Sequence, residues 1–192
     1  VIIEESAKLG ILSHIVVNEN KCGRNVLHHA ANRNLNDEMF TYLLNSVKSD
    51  NVKMEKLLSK TDNYGNTPFD LTVICNQINK MKAILENSVK LGIQERFVMN
   101  ENKQGQNVLH YAANYGYNDE DFSYLLNFIK SEPGKMKNLL SKRDNNGYTP
   151  LDLTVIYHQI NKMKTILEES LKLGILDHIV MNENKCGQNV FH

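Results

Sequence analysis

Apolar residues along this chain fall in short helical bursts. In "FTYLLNSVK" (40–48), Phe40, Leu43, Leu44 and Val47 recur at i, i+3, i+4 and i+7, which places them on one helix face. "FSYLLNFIK" (122–130) repeats that arrangement. Met81, Ile84, Leu85 and Val89 form a second kind of apolar stripe, with Gly92 predicted as the C-cap that ends its helix. "VKMEKLLSK" (52–60) and "GKMKNLLSK" (134–142) space Met and a Leu pair at i, i+3 and i+4, and each predicts a short additional helix. "IQERFVMN" (93–100) and "ILDHIVMN" (175–182) hold the corresponding place in the alternate arrangement. The pattern predicts an all-α chain apart from its turn loops.

Polar residues mark the helix starts. Asp62-Asn63-Tyr64-Gly65 is turn chemistry, with Gly65 free to take a positive φ. Thr67 then reads as an N-cap, Pro68 as the first helical residue and Asp70 as N3, which makes a capping box; Thr149, Pro150 and Asp152 do the same. In a second type of start, Asn25 or Asn107 caps and His28 or His110 stands at N3, followed by small Ala30 and Ala31 where packing is close. "PGKM" (133–136) lacks the leading glycine and the Ser/Thr of a phosphate loop and reads as a turn before a helix.

These signals recur. Residues 20–101 align without a gap onto 102–183, with 54 of 82 positions identical. A weaker echo lies inside each block, because Gly23, Gly65 and Gly105 are 42 and 40 residues apart. The unit is therefore about 40 residues long and alternates between two types, a period at which stacked units bury their apolar faces on one another. The boundaries read as a partial repeat at 1–19, repeats at 20–61, 62–101, 102–143 and 144–183, and a partial repeat at 184–192. Glu4–Asn18 matches Glu168–Asn182, so the chain opens within a second helix and closes within a first, as an excerpt of a longer array would.

A turn, then Thr-Pro or Leu-His-x-Ala-Ala, a short helix and a longer helix with Leu-Leu together resemble the ankyrin repeat. "GNTPFDLTV" and "GYTPLDLTV" carry the Thr-Pro half, and "GRNVLHHAA" and "GQNVLHYAA" carry the Leu-His-x-Ala-Ala half. The resemblance spans essentially the whole chain. It implies an ankyrin solenoid of helix-turn-helix units, lengthened after the second helix, whose work is protein–protein interaction. It also implies an inner binding face made by the turn tips, the residue after the glycine and the first helices. Of the 28 positions at which the two blocks differ, six carry tyrosine in one copy. Tyr64, Tyr115, Tyr148 and Tyr157 map onto the implied face and Tyr111 and Tyr117 lie beside it, with Lys21, Arg24, Arg33, Asn66 and Asn146 completing the expected partner-binding set. Tyrosine gives a large contact area and a hydrogen bond at low entropy cost. The rival account is neutral drift, with tyrosines half-buried under the next unit.

Composition narrows the function further. Twenty-two basic residues balance 22 acidic ones, so no net field draws the chain to nucleic acid, and Lys21, Lys103 and Lys185 recur only as separate turn tips. No apolar run reaches the length of a membrane span or a secretory leader. The three cysteines are odd in number, and Cys22 and Cys186 hold equivalent places in different copies, which indicates a reducing, cytoplasmic compartment. Cys22, His28 and His29 bring nucleophile, base and zinc-ligand types together. The second copy has Gln104 and Tyr111 in place of Cys22 and His29, and four ligands are not at hand. No enzyme, metal or cofactor is expected. Abundant Asn, Lys and Ile (26, 18 and 14) beside four Arg fit an AT-rich genome such as that of an intracellular bacterium, in which a module of this kind would serve a host-directed effector. The expected partner is another protein, bound by a monomer. The alternatives are a targeting segment of an enzyme whose catalytic domain lies elsewhere, and a structural spacer.

Overall fold

A computed structural model of the chain describes residues 18–31, 36–114, 116–131 and 133–192. Among them are twelve helices and no strand. The chain divides into two compact units, Val1–Asn100 and Glu101–His192.

The first unit holds α1 (Val26–Ala30), α2 (Asp37–Asn45), α3 (Asn51–Ser59), α4 (Pro68–Ile74), α5 (Ile78–Leu91) and α6 (Gln94–Val98). Short first helices α1 and α4 pack on each other, as do the longer second helices α2 and α5. The added helices expected from 52–60 and 93–100 form as α3 and α6. The stripe of α2 is buried as its spacing demands, with Phe40, Leu43, Leu44 and Val47 at most 2% exposed. In α5, Met81, Ile84 and Leu85 are buried, but Val89 is 50% exposed and Ser88 is fully buried in its place. Ser88 lies seven residues after Met81, within about 20° of it around a helix of 3.6 residues per turn. Its hydroxyl meets the cost of burial by donating to the Leu85 carbonyl at 2.8 Å. Phe69 of α4 packs on Phe97 of α6 with ring centroids 5.0 Å apart, a tilted pairing that adds about 1 kcal/mol to the apolar burial of both rings.

The second unit holds α7 (Val108–Asn114), α8 (Asp119–Lys130), α9 (Pro133–Ser141), α10 (Pro150–Ile156), α11 (Ile160–Lys172) and α12 (Leu176–Val180). The same pairings recur, α7 with α10 and α8 with α11, and α9 and α12 pack on each other. "PGKM" begins α9 itself instead of forming a turn ahead of it. Proline at the first helical position loses no hydrogen bond and its fixed φ suits the helix. Lys162, at 1% exposure, spans from α11 to the end of α7, where its Nζ donates to the Ala112 carbonyl at 3.0 Å. That carbonyl is one of the orphans every helix end leaves.

The helix starts are built as the sequence predicts. Thr67 and Thr149 cap α4 and α10 with Asp70 and Asp152 completing the box, and Asn25 caps α1 with His28 completing it. Asn107 accepts the amides of Leu109 and His110 at 3.0 and 3.2 Å to cap α7. Gly92 ends α5 at φ +66°. The chain's opening segment through residue 17, expected to be helical, lies outside the described residues, as do Arg33 and Tyr115.

Candidate functional site

Each repeat contributes a turn tip, and one residue organises all five tips. The side-chain Oδ1 of Asn20, Asp62, Asn102, Asp144 and Asn184 accepts the backbone amides two and four residues ahead, at 2.8–3.1 Å. The main chain closes the same loop, for example from Asp62 N–H to the Asn66 carbonyl at 2.8 Å. Within the first unit, Asn63 N–H donates to the Cys22 carbonyl at 2.9 Å. Within the second, Asn145 N–H donates to the Gln104 carbonyl at 2.8 Å and Lys185 N–H to the Asn146 carbonyl at 3.0 Å. Gly147 shows how close the tips come: at φ +89°, a Cβ there would sit 2.9 Å from Asn184 Cα.

Bonding at two levels ties tip to helix. In the Asn-His type, the Asn25 amide donates to His28 Nδ1 (3.2 Å), so the ring proton sits on Nε2, which donates to the Asn66 carbonyl of the next tip at 3.1 Å. His110 does the same between the Asn107 amide and the Tyr148 carbonyl, at 3.2 and 3.1 Å. Burial lowers both imidazoles to a pKa of about 4, which keeps the rings neutral. In the Thr-Pro type, Asp70 Oδ2 accepts from the Thr67 amide and hydroxyl, both at 2.8 Å, and from Asn100 Nδ2 at 2.7 Å. Asn100 Nδ2 also reaches the Gly65 carbonyl at 2.9 Å, locking the next loop to the tip. Asn182 repeats this on Asp152 and Gly147 at 3.1 and 3.0 Å. Asp70 is fully buried, and desolvation pushes its carboxyl up to about 7; Asp152 is shifted upward for the same reason. The histidines are thus spent on joining successive repeats, and the aspartates on joining a repeat's first helix to its last loop.

With the tip amides committed inward, side chains are what the tips display. Lys21 and Asn146 are exposed, Tyr64 is 58% exposed, and Tyr157, the C-cap of α10, is 43% exposed. Tyr148 is half-buried and borders a cavity of about 230 Å³ with Val155, Ile156, Gln188 and Val190. Arg24 is partly exposed, but its Nε donates to the buried Asp62 carboxylate at 3.0 Å, so much of its guanidinium serves the tip-to-tip junction. Three of the expected contact residues are inside instead. Tyr111 and Tyr117 are each 2% exposed and Asn66 is 8% exposed. Tyr111 donates its hydroxyl to the Gln106 carbonyl at 3.3 Å, and burial pushes the Tyr117 phenol upward. They fill the core, where an aromatic ring buries more apolar area than the histidine or leucine of the other copy. Nothing in the local sequence set Tyr111 or Tyr117 apart from the exposed Tyr64 and Tyr157, since all of them stand at divergent positions.

The chemistry-bearing cluster does not assemble. Cys22 is exposed and free, His28 is buried in its cap, and His29 Nε2 faces Asn20 Nδ2 at 3.0 Å. Cys186 is exposed and free as well. Among the described residues no three His, Cys, Asp or Glu side chains are grouped to hold a metal ion. No described helix is long and apolar enough to cross a membrane.

Residues 81–177, just over half of the chain, match the family model described as ankyrin repeats (three copies). No curated protein matches the chain.

Proposed function

The chain belongs to the ankyrin-repeat family, and from that premise we propose that it recognises a partner protein through the side chains on its turn tips and first-helix exits. Repeats of this family are generally protein–protein interaction modules and typically not catalysts. The observation that carries the reading is the exposure of Tyr64 and Tyr157, 58% and 43%, at positions where the duplicated blocks have diverged on a hydrogen-bonded framework. Exposed aromatic rings of this kind, anchored on rigid elements, are the usual centres of binding energy in an interface. The 230 Å³ cavity beside Tyr148 is below the volume of most small-molecule sites and suits one apolar side chain of a partner. Lys21 and the exposed part of Arg24 in the first unit, and Asn146 in the second, supply polar groups on the tips. The exposed, unbridged Cys22 and Cys186 fit a reducing compartment.

The test is affinity capture from lysate with the wild-type chain, a Tyr64→Ala/Tyr148→Ala/Tyr157→Ala variant, and a control altered on exposed second-helix residues, Tyr42→Ala and Leu171→Ser. A protein retained by wild type and control but lost by the tyrosine variant supports the reading. Identical capture by all three, or none by any, removes it and favours a spacer.

A further inference from the structure

The two units are copies, and one pair of helices has diverged in a chemically directed way. In the first unit Arg96 of α6 reaches across to Glu55 of α3, and the two side chains form an ion pair. Eighty-two residues on, the same two positions are His178 of α12 and Lys137 of α9. The carboxylate has become an ammonium and its arginine partner an imidazole, so no ion pair joins α9 to α12 there. Two neighbouring changes go with it: Val52 becomes Gly134, which carries no side chain, and Lys56 becomes the shorter Asn138.

The result is a groove of about 420 Å³ lined by Gly134, Lys137, Asn138, Ser141, Ile175 and His178. Its polar groups are mostly donors. Lys137 has three N–H groups and makes no ion pair among the described residues; Asn138 offers an amide, and the His178 imidazole offers at least one N–H in either protonation state. Ser141 adds a separate signal. Its hydroxyl is buried and has no hydrogen-bond partner among the described residues, whereas the equivalent Ser59 hydroxyl donates to the Glu55 carbonyl. A buried hydroxyl left unpaired is costly unless something completes it.

We propose that the groove between α9 and α12 is a binding site for a phosphate group, presented by a phosphorylated segment of a partner or by a free small molecule. Lys137 supplies the charge, and Asn138, Ser141 and His178 supply donors to the oxygens, the combination that a tetrahedral dianion needs. The volume exceeds that of phosphate alone and leaves room for the group that carries it. The site is separate from the turn-tip surface and does not depend on its role.

The experiment is an ¹H–¹⁵N NMR titration of the full chain with sodium phosphate, against sodium chloride at matched ionic strength, and in a second arm with a short phosphoserine peptide. The expected result is saturable shifts of the amides of Gly134, Asn138, Ser141 and His178 with phosphate and not with chloride. Tighter binding of the peptide than of phosphate identifies a phosphorylated segment as the source, and equal binding identifies a free ligand. Lys137→Glu/His178→Arg restores the first unit's pair and is expected to weaken binding at least tenfold. Ser141→Ala, which keeps every charge, is expected to weaken it severalfold and covers the case in which the double variant fails to fold. Absence of saturable shifts, shifts spread evenly over surface lysines, or undiminished binding by both variants would overturn the proposal.

Discussion

Replacing Asn107 by alanine removes one side chain that serves the backbone of two helices, α7 and α9. Its Oδ1 accepts the Leu109 and His110 amides at 3.0 and 3.2 Å, and its Nδ2 donates to the Leu139 carbonyl at 2.9 Å. Loss of the cap alone costs about 1 kcal/mol. The Leu139 carbonyl belongs to the last turn of α9, on a residue 1% exposed, and stranding it without water or donor costs about another 2 kcal/mol. The sum, about 3 kcal/mol, corresponds to a fall in Tm of roughly 6–12 °C for a chain of this length. The internal control is Asn189→Ala. Asn189 accepts the Phe191 amide at 3.0 Å, the same capping geometry at an exposed site, so its replacement is expected to cost about 1 kcal/mol at most. Both variants are measured by thermal and urea denaturation under identical conditions. Equal losses for the two would refute the claim that the reach to Leu139 gives this residue its weight.

Other consequences follow from the same geometry. Asp70 has its folded pKa raised to about 7 from 3.8, so the native state holds the extra proton and stability falls as pH rises from about 4 to about 7. The Tm difference between wild type and Asp70→Asn, which cannot titrate, should shift in favour of wild type as pH is lowered from 8 to 5; a pH-independent difference would contradict the assignment. The His28 and His110 imidazoles, lowered to about 4 from 6.5, act in the opposite sense: stability falls as pH drops from about 6.5 to about 4, and replacing either by glutamine should flatten that loss. Gly147→Ala, which drives a Cβ to 2.9 Å from Asn184 Cα at a φ of +89°, is expected to lower Tm well beyond Gly174→Ala, whose φ is +66° but whose Cβ meets nothing within 4 Å. Equal effects would mean that φ alone matters and that the tips are not in close contact.

How much of this was legible beforehand depended on how local the cause was. A capping box is written within four residues, so Thr67-Pro68-Asp70 and Asn25 with His28 announced their helices, and the 42- and 40-residue spacing of Gly23, Gly65 and Gly105 announced stacking. Burial within a helix was less legible. Val89 and Ser88 are one position apart, and the packing of α5 on its neighbours, not hydropathy, put the serine inside. Tyr111 and Tyr117 diverged between copies as Tyr64 and Tyr157 did, yet they are buried and the other two are exposed. Divergence marks where change is tolerated and does not say which side faces solvent. The turn at Asp62–Gly65 was legible, but the grip of Asp62 and its counterparts on two amides needed the folded turn. The exchange of Arg96 and Glu55 for His178 and Lys137 was likewise visible in the alignment. It acquired meaning only once α9 and α12 were found packed together.

The two repeat types solve one mechanical problem with different chemistry. A neutral imidazole donates forward to the next tip in one; in the other, a buried carboxyl accepts an asparagine reaching back from the next loop. Either arrangement ties the tip down through buried polar side chains. That leaves the exposed tip residues open to change without loss of fold, as a recognition surface requires.

The most direct test of that surface is the dissociation constant of the captured partner for wild type and for Tyr64→Ala/Tyr157→Ala, the two tyrosines most exposed at the tips and exits among the described residues, with Tm measured on the same samples. The account predicts binding weakened about a hundredfold, as the loss of two aromatic anchors implies, while Tm moves by no more than about 2 °C, as expected for exposed sites. Unchanged affinity, or a loss of affinity that tracks a large fall in Tm, would contradict it.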